Sequence, residues 1–350
     1  MFGDVAQLAR AFGSYPKGRG FDPLRRYHIE LNELYSSFFC AIIYIGDNMK
    51  VINNSFKECQ DSNNTFKNTN DKIINFLKNK IDDEQLLNQI INNCDHSIVQ
   101  LTDGNSYTIL AHDGKLKSYN FRDSSAAFKT NMAVSAKENE IYIIPGLALR
   151  PNYNEHQYIH EMLHVISSNQ HNYYNEDGIA YTKTGTRIDF FDKNLDNYKM
   201  NNNPSSDGLN EGITELLTST ITNEYTGNYP GYLVVANLLM SCNNKLLEAY
   251  FSSDKNVLES FYNDLEEKQD IITRDDLTSL DSKELDDNKL IKLIVGGVKY
   301  NQSYNNEIDI NGISNYLDQF YMLDSGSWNE LISESLNKYE DNKEANPMSR

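Results

Sequence analysis

In residues 156–168, His-Gln-Tyr-Ile-His-Glu-Met-Leu-His-Val-Ile-Ser-Ser, two of the histidines, His160 and His164, stand four apart with a glutamate directly after the first. Four residues make about one turn of an α-helix, so His160 and His164 lie one above the other on the same face. From there two imidazoles can aim at one cation. Glu161 is turned by about 100° around the axis, beside such an ion instead of on it. A carboxylate in that place can take a proton from a water the ion holds. His-Glu-x-x-His is a metal-site spacing for this reason. The segment around it reads as an amphipathic helix over 153–168. Ile159, Met162, Leu163 and Ile166 recur at i, i+3, i+4 and i+7, and Asn152 or Asn154 can cap the first turn. Two solvated histidines on a surface helix are the plain alternative.

A catalytic zinc site takes three protein ligands and keeps one position open. The stretch Asn210-Glu211-Gly212-Ile213-Thr214-Glu215 offers the third. It too reads as a helix, with Ile213, Leu216, Leu217 and Ile221 as its apolar stripe and Glu211 and Glu215 sharing another face. From spacing alone these are equally two solvated glutamates in i, i+4 register.

Taken together, the two stretches resemble the gluzincin metallopeptidases, the group that contains thermolysin, the one-zinc aminopeptidases and lethal factor. The resemblance covers residues 155–168 and 209–218. It implies Zn²⁺ as cofactor, His160, His164 and Glu211 as metal ligands, and Glu161 as general base. It implies for Glu215 the acidic place that orients a ligand histidine by accepting its other N–H. The 46 residues from 165 to 210 separate the second histidine from Glu211. Thermolysin and the aminopeptidases have a much shorter gap, and lethal factor one of similar length. Lethal factor's ligand falls two residues beyond its Asn-Glu, where this chain has Ile213, so Glu211 and Glu215 both stay open as third ligand. The implied activity is hydrolysis of peptide bonds by metal-activated water, with a peptide or protein as substrate and an endopeptidase favoured over an aminopeptidase. A non-hydrolytic binding protein on the same scaffold is the alternative reading. The relatives use a Tyr or His to stabilise the oxyanion. The candidates here are Tyr229, Tyr232, Tyr225 and Tyr198, with Tyr229 preferred because it lies in the loop after the ligand helix.

The elements that must position these residues follow the composition. The chain has 350 residues and a net charge of −18, an acidic balance that disfavours nucleic acid and anionic membranes as partners. Its longest apolar run, Phe38–Ile45, is too short to span a bilayer. Cys40, Cys59, Cys94 and Cys242 form no C-x-x-C pair and read as unpaired thiols of a reducing, cytoplasmic compartment, with two disulfides as the other reading. Residues 1–28 lack Asn, carry five basic residues among Gly and Pro breakers, and resemble a translated transfer-RNA-gene fragment. They read as a non-native or disordered extension, with a basic targeting arm as the other reading.

Residues 29–96 read as a mainly helical region. Residues 97–350 read as the metallopeptidase domain, with a sheet and the active helix in 97–168 and a helical lobe in 205–341. Short β-prone runs at 98–101, 107–111, 116–121, 132–135 and 140–144 predict a small mixed or antiparallel sheet, the last strand closed by Pro145-Gly146. By the resemblance, 140–144 is the candidate strand for adding a peptide substrate; an interior strand is the other reading. His96 reads as structural or solvated, and His112 as an ordinary turn residue. A hairpin is expected over 178–191, turning at Lys183–Gly185, inside an insert that either flanks the cleft or is a surface excursion. Helices are expected at 209–223, 230–251, 254–268, 286–297, 308–322 and 327–341. The fold class is therefore α+β, zincin-like, with a central motif helix.

Overall fold

The computed structural model describes residues 49–110, 116–121, 126–137, 140–168, 173–174, 179–192, 200–201, 207–280, 285–321 and 326–345. The expectations for residues 1–28, Phe38–Ile45, Cys40, His112 and Tyr198 lie outside them. The architecture is mixed α+β with small sheets. The chain divides into two compact units, one of residues 49–201 with 250–255, the other of 207–249 with 256–345, taken over the described residues.

The first unit opens with strand β1 (Lys50–Asn53), then helices α1 (Thr65–Lys78) and α2 (Glu84–Asp95). Strands β2 (Ile98–Leu101), β3 (Ser106–Leu110), β4 (Leu116–Asn120), β5 (Ala127–Lys137) and β6 (Glu140–Leu149) follow, and then the motif helix α3 (Glu155–Ile166). The sheet order is β1-β2-β6-β5-β3-β4. Pairing is parallel for β1–β2, β2–β6 and β3–β5 and antiparallel for β3–β4 and β5–β6. One side of the sheet is filled by Ile52, Ile98, Tyr107, Phe121 and Ala148, with Phe128 packed against them.

Two departures from the sequence reading have physical causes. Lys50–Asn53 sits in a region read as helical, yet its Val51-Ile52 pair is buried as a strand against β2. β6 does not end at Pro145-Gly146. Pro145 pairs with Asn131 in the ladder, and the alternation of the ladder makes this a place where no N–H is owed to β5. Of the two readings of 140–144, the interior strand is the one found: it belongs to β6, between β2 and β5 in the sheet order. It is not an edge strand.

Helix α3 starts on a capping box: Asn154 accepts from the Gln157 N–H while the Gln157 side chain accepts from the Asn154 N–H. It packs on β5 and β6 and against α1 and α2. Ile159, Met162, Leu163 and Ile166 are fully buried, as their period requires, and each contributes roughly 1.5–3 kcal/mol by leaving water. Its C-terminal end is held from two sides. Asn93 Nδ2 on α2 donates to the carbonyls of Ile166 and Ser168 at 3.0 and 2.9 Å, satisfying acceptors the helix end leaves open. The hydroxyls of Ser167 and Ser168 donate to the His164 carbonyl.

A second sheet, order β10-β9-β8-β7, is antiparallel and built from β7 (Tyr173–Tyr174), β8 (Ile179–Thr184), β9 (Arg187–Asp192) and β10 (Met200–Asn201). The β8–β9 hairpin turns at Gly185-Thr186, with Gly185 at φ 59, a left-handed position that favours glycine. Gly185 N donates to Ser167 O at 3.2 Å, and Ser168 Oγ lies 3.0 Å from Thr184 Oγ1. The hairpin is thereby tied to the end of α3.

The other unit is helical: α4 (Asp207–Thr222), α5 (Pro230–Met240), α6 (Lys245–Phe251, whose end belongs to the first unit), α7 (Lys255–Lys268), α8 (Arg274–Thr278), α9 (Asp287–Ser303), α10 (Ile310–Tyr321) and α11 (Ser327–Ala345). The single helix expected over 230–251 is two. Asn301 Nδ2 takes the Leu238 carbonyl, and Asn243 Oδ1 accepts the Lys245 N–H, so one helix ends and the next begins there. α5 is apolar nearly all round and correspondingly buried. It approaches α4 closely at two glycines. A Cβ on Gly208 would meet the Tyr232 ring at 2.4 Å, and one on Gly212 would meet the Tyr232 carbonyl oxygen at 2.4 Å. Gly212 is thus required by backbone contact, directly beside Glu211. No described helix is long and apolar enough to cross a membrane. Among the described residues, Cys59, Cys94 and Cys242 are free thiols.

Lys183 on β8 is fully buried. Its Nζ donates to the carbonyls of Gly185 and Tyr250 at 2.5 and 3.3 Å. Burial lowers its ammonium to about 7 from an ordinary 10.5, against the pull of Asp254. Between those values the unfolded chain holds one proton more, so stability rises with pH across this window and the contribution is flat below it. Urea unfolding at pH 7 and 9.5 is expected to show a gain larger by roughly 2–3 kcal/mol in the wild type than in Lys183→Met. Equal gains in the two proteins contradict this.

Candidate metal centre

The two motif histidines come from one face of α3, their ring centroids 5.1 Å apart and their planes at 76°. His164 is buried and His160 half-buried. Glu161 is also half-buried, and its Oε2 accepts the main-chain N–H of Lys129 on β5 at 2.7 Å. The Lys129 ammonium donates to Thr184 Oγ1 at 3.3 Å. Burial, then the nearby Arg187 guanidinium, bring that ammonium down to about 8, while Asp189 and Glu161 pull the other way. Arg187 is itself paired with Asp189 through two bonds, Nε to Oδ2 at 2.9 Å and a terminal N–H to Oδ1 at 3.1 Å, the fork geometry that makes guanidinium–carboxylate pairs firm.

On α4, Glu211 is half-buried and Glu215 fully buried. Glu215 Oε1 accepts the Thr226 hydroxyl at 2.7 Å. The Tyr316 phenol is held well above its usual range, first by burial and then by the charge of Glu215. Along the same helix Thr214, Thr218 and Thr222 each return a hydroxyl to the carbonyl four residues back, so polar side chains on a largely buried helix are satisfied within it.

One ligand atom from each of His160, His164 and Glu211 lies within 4.8 Å of the others. Glu215 is not in this group. Two imidazole nitrogens and a carboxylate oxygen form a donor set that suits zinc. The set also suits iron(II) and other divalent first-row ions.

The tyrosine candidates separate. The Tyr232 ring is buried against Gly208. Tyr225 and Tyr229 are half-buried. Tyr229 sits at φ 51 as the residue before α5. That left-handed conformation is uncommon for a bulky residue and is held only where the surroundings enforce it. Its ring meets Tyr232 edge-on at 6.5 Å.

Lys129, Thr226 and Asn93 hold Glu161, Glu215 and the end of α3 without having announced themselves in the sequence. Lys129 acts through its main chain, which no side-chain pattern reports. Thr226 lies in an Asn-Glu-Tyr-Thr-Gly turn that reads only as a helix break.

Comparison of the chain with protein-family models, curated proteins and solved structures finds no match.

Proposed function

We propose that the chain is a zinc-dependent peptidase of zincin-like fold, with His160, His164 and Glu211 holding the ion and Glu161 as general base. The observation that carries this is the gathering of those three ligand atoms within 4.8 Å, beside a carboxylate at the position next to the first histidine. Zinc, when bound, supplies a Lewis acid that lowers the pKa of water towards neutrality and polarises a carbonyl. Glu161 accepts the proton of the attacking water as the C–O bond forms. It then passes that proton to the nitrogen as the C–N bond breaks, releasing a carboxylate and an amine. Glu215, fixed by Thr226, is assigned the place that orients a ligand imidazole. Tyr229 is assigned as donor to the tetrahedral oxygen.

The intact base favours hydrolysis over a binding role, because a protein that only binds has no use for Glu161. The test is turnover of a peptide library by the purified chain. Cleavage lost with a chelator and restored by zinc supports the reading. A zinc-loaded chain that cleaves nothing leaves the binding protein as the better account.

A further inference from the structure

Glu161 is hydrogen-bonded to a main-chain donor, and the strand register explains why that donor is available. Arg150 N donates to Ala126 O at 2.8 Å, which makes 126/150 a hydrogen-bonded pair of the β5–β6 ladder. Hydrogen-bonded and non-hydrogen-bonded pairs alternate along an antiparallel ladder. Phe128 opposite Ala148 is therefore bonded, whereas Lys129 opposite Leu147 is not. The Thr102 N–H donating to Leu149 O at 3.0 Å fits the same phase, since that carbonyl turns away from β5. The Lys129 N–H consequently points to the outer side of β5, away from β6. Glu161 Oε2 takes it there at 2.7 Å.

We propose that this N–H is the positioning group for the base: Lys129 holds Glu161 Oε2 through its main chain and so fixes how the carboxylate is presented. The inference rests on the peptidase reading for its catalytic meaning. Its physical basis is local. A glutamate side chain has three rotatable bonds, and a charge-assisted bond to a rigid strand fixes the last of them at little entropic cost. Partners that orient groups around a metal centre commonly change its performance 10–100-fold. The donor is the Lys129 main-chain N–H, and the Lys129→Ala variant below separates it from the side-chain ammonium, which donates to Thr184 Oγ1.

Two measurements test it. Lys129→Pro removes the N–H at a ladder position that gives β6 no bond, and Lys129→Ala keeps it. With a peptide that the wild type cleaves, kcat of the Pro variant is expected to fall at least roughly tenfold below that of the Ala variant, with KM and zinc content alike in the two. The second measurement needs no turnover: amide hydrogen exchange, read by NMR on chelator-stripped protein. In Glu161→Ala the Lys129 amide is expected to exchange roughly tenfold faster or more than in the wild type, while the amides of Phe128 and Thr130, which face β6, keep their rates. An unchanged Lys129 rate overturns the proposal, as does equal kcat in the Pro and Ala variants. Should Lys129→Pro not fold, the exchange comparison decides alone. A wild type that cleaves no peptide defeats the peptidase reading and leaves the exchange result standing, so the two failures are told apart.

Discussion

Glu161→Gln is expected to bind zinc like the wild type and to lose peptide turnover by about a hundred- to ten-thousand-fold, the range a positioned general base contributes. The reasoning is one of shape against charge. The amide has the length and outline of the carboxylate, and its oxygen can still accept the Lys129 N–H that Glu161 Oε2 accepts now. The histidines and Glu211 are untouched, so the proposed ligand set is whole. What goes is the basic oxygen, and with it the route that the proposed mechanism gives the water proton to the leaving nitrogen. Steady-state kinetics and zinc content of the same preparation check this. Turnover within tenfold of the wild type would remove Glu161 from its role.

The second large effect separates the two glutamates of α4. Glu211→Ala is expected to weaken zinc binding by more than the roughly 10–100-fold that loss of an orienting partner costs. Glu215→Ala should stay within that range. Glu211 is the one grouped with the histidines, whereas Glu215 is buried and accepts from Thr226. Competition with a chromophoric chelator gives both affinities. The reverse order would make Glu215 the ligand and return Glu211 to a solvated face.

The two glutamates also mark what the sequence could and could not say. Residues four apart share a helix face, so spacing finds the pair but cannot rank it; the neighbours that rank it, His160 and Thr226, are remote or sit in a turn. The motif helix was legible because its apolar period and its Asn154 cap are local signals. Most of the helices from 207 onward were legible for the same reason. The break inside 230–251 was not, because the residue that claims the Leu238 carbonyl is Asn301, 63 positions away. Pro145-Gly146 read as the end of a strand, since proline cannot donate. It lies within β6 because that position owes β5 no N–H, a fact of register that exists only once the strands have paired. β1 was hidden for a related reason: four residues show no convincing period, and only their parallel partner β2 makes them a strand.

X-ray absorption at the zinc edge of the stoichiometrically loaded chain tests the central claim most directly. The account predicts one zinc per chain, two imidazole scatterers, and oxygen neighbours alone in the remaining shell at about 2.0–2.2 Å. Sulfur in the first shell, a single imidazole, or a chain that retains no stoichiometric metal would contradict it.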